Sequence, residues 1–204
     1  MRSLLLPLAG SVALLLSGCS EPPAAPVKKV EEKPEPVTGQ TALFKTFQVA
    51  RSWDPRVQIL KLSSTHLNEV PEVRGKAAAW EGTFVSPTEG QSRTYTYSVI
   101  ELLPNLHKGV FSVGQEAFSE SKGSSKPFLI EAAQIDSDKA YTTALAHAAD
   151  YEKKNPDKPI TLILELTPRH LRPTWRVIWG ESVSSSNFSV FVDATTGDFL
   201  EVMH

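Results

Sequence analysis

The chain has 204 residues, of which 41% are hydrophobic and 22% charged, and its formal net charge is -2. This composition fits one or two globular domains, and the small net charge removes the global electrostatic argument for binding nucleic acid. The single cysteine, Cys19, excludes an internal disulfide, a Cys pair for redox chemistry and a zinc knuckle.

The N-terminal segment has a positive start followed by a short apolar run. Arg2 precedes an apolar stretch from Leu4 to Leu16, which is shorter than a comfortable transmembrane helix and has the length of a signal-peptide core. An uncleaved anchor helix is the alternative interpretation. Leu16-Ser17-Gly18-Cys19 ends the run, and this pattern resembles the cleavage motif of bacterial lipoproteins. The resemblance implies a signal peptide at residues 1–18 and a lipid anchor on Cys19, with palmitate among its acyl chains.

Residues 19–39 follow as a predicted tether between the anchor and the folded body. From Glu21 to Gly39 the sequence holds prolines and charges of both signs and no aromatic residue. It therefore cannot bury enough apolar surface to offset the entropy cost of ordering, and it favours an extended spacer. Because Ser20 rather than Asp follows the cysteine, the lipoprotein resemblance favours the outer over the inner membrane in a Gram-negative cell, with the body in the periplasm.

Residues 40–118 form the first predicted α+β unit. Apolar residues at helical spacing indicate a helix from Thr41 to Trp53, with Thr38 or Thr41 as its cap and Asp54-Pro55 as its stop. Alternating apolar and polar residues then predict strands and a hairpin. These segments are Val57–Leu62, Ala78–Phe84, the turn Pro87–Gly90, Tyr95–Val99 and Gly109–Gly114.

A predicted linker at residues 119–134, which includes the Ser-rich loop Ser119–Pro127, leads to a second unit at residues 135–204. The helix of this unit is capped by Asp136 or Ser137 and stopped by Asn155-Pro156. Apolar residues at helical spacing predict the helix over Ala140–Tyr151. Alternation of apolar and polar residues predicts the strands that follow, which are Leu162–Leu166, Trp175–Trp179, Phe188–Val192 and Phe199–Val202.

The order helix, Asx-Pro stop, strand, long polar loop, Trp-bearing strand, turn and strand occurs in both units. Trp80 and Trp179 hold equivalent places in this comparison. The sequence therefore predicts a tandem duplication of a small α+β unit, with coincidence of generic α+β patterning as the alternative.

The end of the second unit carries a recognisable strand and turn. In Val190–Asp198, Asp193 can accept hydrogen bonds from backbone N–H groups two residues on, and Gly197 can take a positive φ. Together with the Ala-rich helix and Trp175-Arg176-Val177, this segment resembles the PepSY domain family of bacterial secreted and membrane proteins. The resemblance covers residues 136–204 and implies a non-catalytic binding or inhibitory module, often facing peptidases. The first unit lacks the Asp-to-Gly turn.

The sequence contains no recognisable catalytic, cofactor or metal motif. The five histidines are scattered without metal-ligand spacing, and neither a serine-nucleophile elbow nor a glycine-rich phosphate loop is present. We therefore predict a protein that is not an enzyme and needs no cofactor. If it is a hydrolase, the candidates are Asp136, His147 and Asp193, for which helix capping, a core-edge position and turn formation are the simpler interpretations.

Arg169, His170, Arg172 and Arg176 cluster around one predicted loop and strand. They can meet an acidic partner or a lipid head group, or they can form a solvated basic face. Trp175 and Trp179 join them in the predicted partner surface, and Trp80, Trp175 and Trp179, with Tyr95 and Tyr97, can line a ligand groove on a sheet face. Core packing is the simpler interpretation, because alternating aromatic residues are what a sheet buries against its helix.

These observations favour a membrane-anchored lipoprotein that acts as a non-catalytic binding or inhibitory module for an envelope protein or peptide, with no nucleic-acid partner. A structural or assembly lipoprotein, in which the length of the tether matters most, is the alternative. A hydrolase without a recognisable motif is the third hypothesis.

Overall fold

A computed structural model describes residues 33–204, so the predicted signal peptide, Cys19 and the first part of the tether lie outside the described residues. The described chain contains two α-helices, ten strands and a short 3-10 helix at Ile130–Ala132. The helices are α1 (Gly39–Trp53) and α2 (Ser137–Lys154). The strands are β1 (Val37–Thr38), β2 (Gln58–Thr65), β3 (Lys76–Ala77), β4 (Ala79–Ser86), β5 (Gln91–Ser98), β6 (Gly109–Ala117), β7 (Ile160–Glu165), β8 (Thr174–Trp179), β9 (Ser189–Asp193) and β10 (Phe199–Met203).

Both helices begin and end where their cap residues predict. Thr38 is the N-cap of α1 and accepts a hydrogen bond from the backbone N–H of Thr41, while Asp54 ends the helix. Asp136 is the N-cap of α2, and Asn155 ends it. Each helix buries small and apolar residues at helical spacing against the sheet, which is why neither needs strong intrinsic propensity. These buried positions are Ala42, Leu43, Thr46 and Ala50 in α1, and Ala140, Tyr141, Ala144 and Ala148 in α2.

Eight strands form one antiparallel sheet in the order β10-β9-β8-β7-β2-β4-β5-β6, while β1 and β3 pair separately. The halves meet where β2 pairs with β7, with Leu62 opposite Leu164. The strand order is therefore symmetric about this central pair, and a helix followed by its strands occurs once on each side. The predicted α+β class is confirmed. Residues 33–204 make a single compact unit, in which the two predicted units share the sheet.

Two tryptophans pack together at the centre of the helix-covered face. Trp80 and Trp175 are fully buried, and their ring centroids lie 6.3 Å apart in an edge-to-face arrangement. The Trp80 indole N–H donates to the carbonyl of Val37, and the Trp175 indole N–H donates to the carbonyl of Ile135. Each acceptor lies two residues before the first residue of a helix. Trp80 and Trp175 are thus the equivalent pair, and the predicted equivalence of Trp80 with Trp179 is wrong.

The N-termini of α1 and α2 share their capping groups. The Asp136 carboxylate accepts from the backbone N–H of Ser137 at 2.7 Å and from that of Gln40 in the other helix at 2.9 Å. The Ser137 hydroxyl accepts from the Gly39 N–H at 2.7 Å and donates to the Gly75 carbonyl. These bonds satisfy N–H groups that a helix N-terminus otherwise leaves without partners. The two halves are therefore joined through the helices as well as through the sheet.

The structure corrects where the predicted tether and the predicted linker end. The body starts at Val37 rather than after Gly39, because β1 pairs with β3 and the Val37 carbonyl accepts from Trp80. The predicted linker 119–134 is built into the body over its second half. Phe128 pairs with Ile59, its side chain is buried in the core, and Lys126 pairs with Leu166. The Ser-rich composition of 119–125 indicates a loop correctly, but it does not predict the pairing of Lys126 and Phe128 that follows.

Candidate binding surface at the β10 edge

The two tryptophans of the predicted partner surface lie in the core. Trp175 and Trp179 are both fully buried on the helix-covered face, where Trp179 packs edge-to-face on Phe188. Their inclusion in an exposed partner surface is therefore wrong. Side chains alternate along β8, so Arg176, between them, lies on the opposite face. The alternation along β8 places Trp175 and Trp179 on one face and Arg176 on the other, but it does not predict which face the helices cover.

The segment Pro168–Pro173, called here the basic loop, lies against the face of the sheet opposite the helices. Phe191 of β9 projects from that face and is only 3% exposed. The guanidinium carbons of Arg169 and Arg176 lie 5.9 and 5.1 Å from the centre of its ring, and the His170 ring centroid lies 5.2 Å away. Cation–π contacts of this kind stabilise a loop that covers an aromatic ring. Three of the predicted basic residues thus converge on Phe191.

Carboxylates hold the basic loop in place. Arg169 forms a two-pronged ion pair with Glu201 of β10, and this pairing holds the pKa of Glu201 below its ordinary value. Nε of Arg172 donates to the Asp193 carboxylate at 2.8 Å. His170 Nε2 lies 3.2 Å from Glu201 without a hydrogen-bond geometry. Because Arg169 and Arg172 are paired with carboxylates and Arg176 donates to the Ser189 hydroxyl, the cluster is a structured polar site rather than a loose basic patch.

The members of these ion pairs differ in exposure. The Arg172 side chain is 55% exposed, whereas its partner Asp193 is 4% exposed. The Arg169 side chain is 50% exposed and that of Glu201 is 27% exposed. The cations therefore face solvent while the carboxylates face the protein. A ligand approaching this surface therefore meets the positive charges of Arg169 and Arg172 first.

Asp193 fixes the turn beside the loop. One carboxylate oxygen accepts from the backbone N–H groups of Thr195 and Thr196 at 2.8 and 3.0 Å, and the other binds Arg172. Gly197 has φ of 82°, which an L side chain adopts only with strain. The turn predicted from the sequence is confirmed, and its Asp also anchors Arg172, which the sequence pattern did not indicate.

A groove of about 570 Å³ lies between the basic loop and the edge strand β10. We call it the arginine groove; it is lined by Arg169, His170, Leu171, Arg172, Asp193 and Leu200. Leu171 at its rim is fully exposed, and Leu200 is 37% exposed. Beneath the loop, the hydroxyls of Thr167 and Thr174 are buried without a hydrogen-bond partner among the described residues. Polar atoms in that state usually bind water or a ligand.

A second groove, of about 390 Å³, lies on the helix-covered side near the same edge of the sheet. We call it the aromatic groove; its lining includes His147, Tyr151 and Lys154 of α2 together with Phe188 and His204. Tyr151 stacks on Phe188 with ring centroids 4.0 Å apart, and His147 stacks on Phe199 at 3.7 Å. The sequence analysis missed this groove, because it is built from α2, the segment before β9 and the end of β10.

The candidate hydrolase residues have structural partners in the described part of the chain. Asp136 caps the two helices, His147 stacks on Phe199, and Asp193 holds the turn and Arg172. Within residues 33–204, no three His, Cys, Asp or Glu side chains are grouped as metal ligands would be. No helix in the same part of the chain is long and apolar enough to cross a membrane.

Comparison of the chain with protein-family models, with curated proteins and with solved structures finds no match. The site must therefore be argued from its own geometry.

Proposed function

We propose that this protein is a lipid-anchored protein of the bacterial cell envelope whose body is a non-catalytic binding module for a protein or peptide partner. The Leu16–Cys19 motif and the Pro-rich sequence after it support the anchor and the tether. Two or more acyl chains on Cys19 would hold the protein stably at a membrane, since each buried methylene contributes about 0.8 kcal/mol.

A PepSY-like origin of the two halves is part of the proposal. The Asp193-to-Gly197 turn supports the resemblance in the second half. The symmetric strand order and the equivalent hydrogen bonds of Trp80 and Trp175 support a duplication. Because such modules bind rather than transform their partners, the resemblance agrees with a binding role.

The observation that carries the binding role is the full exposure of Leu171. Its side chain is fully exposed at the tip of the basic loop, while Arg169 and Arg172 on either side are held by ion pairs. An exposed leucine alone is ordinary on a protein surface. Here the loop is fixed beforehand, lies beside a groove and is flanked by exposed cations, so a partner could bury Leu171 with little loss of loop entropy.

Cross-linking and co-purification from native membranes test this proposal. The full chain should retain a partner that Leu171→Ser loses, because the substitution removes the apolar anchor but leaves both ion pairs. Leu103→Ser is the matched control, since Leu103 is 72% exposed on a loop of the other half of the body. In the same experiment a fatty-acid label supplied to the cells should appear on the wild-type chain and not on Cys19→Ser.

Two results would count against the proposal. If Leu171→Ser and the wild-type chain retain the same proteins, the basic loop is not the binding surface. If Cys19→Ser takes up the fatty-acid label as the wild-type chain does, the anchor is not on this cysteine.

A further inference from the structure

The edge strand β10 pairs only with β9 within the described part of the chain. Its outer side therefore offers a row of backbone N–H and C=O groups to another strand. Natural edge strands are commonly protected by charged residues or proline. β10 holds neither a lysine nor a proline, and its one charged residue, Glu201, is engaged by Arg169. A register shift between Phe199 and Glu201 leaves Leu200 and Glu201 both beside the basic loop, while Glu201 to Met203 continue the regular pairing.

The two grooves lie on opposite faces of the sheet at this edge. Leu200 and Glu201 of β10 adjoin the basic loop, which bounds the arginine groove. Phe199 contacts His147 of α2, whose side chain lines the aromatic groove. An added strand would place successive side chains alternately toward the two faces. β10 thus combines the features of a strand-addition site, which are a free edge for main-chain bonds and a groove on each side for alternate side chains.

We infer that β10 accepts an extended peptide segment of the partner as a ninth strand of the sheet, an inference that rests on the proposed binding function. The exposed cations of the arginine groove select acidic side chains on one face of that peptide, and Leu171 covers the methylene groups of these side chains. The exposed Phe199 of β10 and the half-buried Tyr151 of α2 select aromatic or large apolar side chains on the other. The segment therefore alternates acidic and apolar residues.

The opposite edge of the sheet provides an internal control. β6 is also unpaired on its outer side within the described residues, and it exposes Phe111 and Val113. Neither edge strand contains an arginine or a lysine. The cation beside β6, Arg93 of β5, donates to Gln115 and lies over the Trp53 ring. By contrast, the exposed Arg169 and Arg172 lie beside β10. Selection of an acidic peptide by these two arginines should therefore distinguish β10 from β6.

The test uses the full chain purified from membranes and a synthetic peptide of about eight residues in which Glu and Phe alternate. A peptide with the same residues in two blocks, which keeps composition and charge but loses the alternation, is the control. Amide hydrogen exchange by mass spectrometry should slow in residues 199–203 when the alternating peptide is added, and residues 109–117 should not change. The blocked peptide should bind at least about tenfold more weakly.

Substitutions in the two grooves and on β6 test where the peptide binds. Leu171→Ser and Tyr151→Ala, one in each groove, should each weaken binding of the alternating peptide by about tenfold, whereas Phe111→Ser on β6 should not change it. Equal binding of both peptides, or slowed exchange at β6 instead of β10, overturns the inference. A native partner that is lost with Leu171→Ser but leaves exchange in residues 199–203 unchanged would overturn strand addition while leaving the proposed binding function intact. Absence of any native partner would overturn the binding function itself.

Discussion

At the scale of single residues, Asp54 shows how one side chain can join distant parts of the chain. It ends α1, and its carboxylate accepts from the backbone N–H of Arg56 at 2.8 Å and from the Ser86 hydroxyl at 2.5 Å. These bonds, that from Ser86 first, lower the pKa of Asp54 from its ordinary 3.8 to about 2. The sequence predicts Asp54-Pro55 only as a helix stop. The link to the end of β4 requires the fold.

Asp54 should make the stability of the protein depend on pH in strong acid. A carboxyl whose pKa is lowered in the folded state stabilises that state fully above its unfolded pKa, and it loses this contribution as the pH falls through the folded pKa. The contribution should therefore disappear between about pH 4 and pH 2. Urea unfolding followed by tryptophan fluorescence should show a smaller fall in stability across this window for Asp54→Asn than for the wild type. The exposed Asp157→Asn is the control, and an identical acid profile for Asp54→Asn and wild type would contradict the assignment.

At the scale of elements, the helix N-termini depend on one another. The first N–H groups of α1 bond to Ser137 and Asp136, which belong to the start of α2, and only the Thr41 N–H is satisfied by its own N-cap. Space at this junction is also tight. A Cβ on Gly39 would lie 2.5 Å from the Trp175 ring, so the close approach of α1 to β8 requires glycine there. Neither helix can therefore be understood from its own segment alone.

Removing the Asp136 carboxylate should uncap both helices. Loss of one N-cap costs about 0.5–2 kcal/mol, so Asp136→Ala should cost about 1–4 kcal/mol in the free energy of unfolding, more than Thr38→Ala. Asp136→Asn keeps an oxygen that can accept both bonds and should recover most of the loss. Equilibrium urea denaturation measures all of these values. Equal losses for Asp136→Ala and Thr38→Ala would show that the shared cap contributes nothing to α1.

At the scale of the whole molecule, two similar halves form one body because their inner edges are paired. β2 and β7 are the first sheet strands after their helices, and separating them would expose Leu62 and Leu164, both fully buried. Separation would also open the Trp80–Trp175 contact. These contacts place fully buried apolar side chains at the junction between the halves. The outer edges, β6 and β10, are unpaired on their outer sides within the described residues.

The body should therefore unfold in a single cooperative step. Tryptophan fluorescence and far-UV circular dichroism should give coincident urea transitions, since the buried tryptophans lie on both sides of the junction. Leu164→Ala should lower the midpoint for both probes together, with a cost of about 2–5 kcal/mol for a buried leucine. Two separate transitions, or a loss confined to one probe, would show that the halves fold independently.

The sequence alone determined the local structure and the fold class. Periodicity, the Asx-Pro stops and the Asp193-to-Gly197 turn depend on neighbouring residues, so both helices and the sheet strands could be located from them. Tertiary structure decided which face of each strand the helices cover. Trp175 and Trp179 lie on the covered face, so they belong to the core and not to a partner surface. Tertiary structure also paired Arg172 with Asp193 and brought α2 beside β10. These contacts join residues that are separated by whole elements of the chain, and neither spacing nor propensity encodes them, because they arise only when β8, β9 and β10 pair and α2 packs against the sheet.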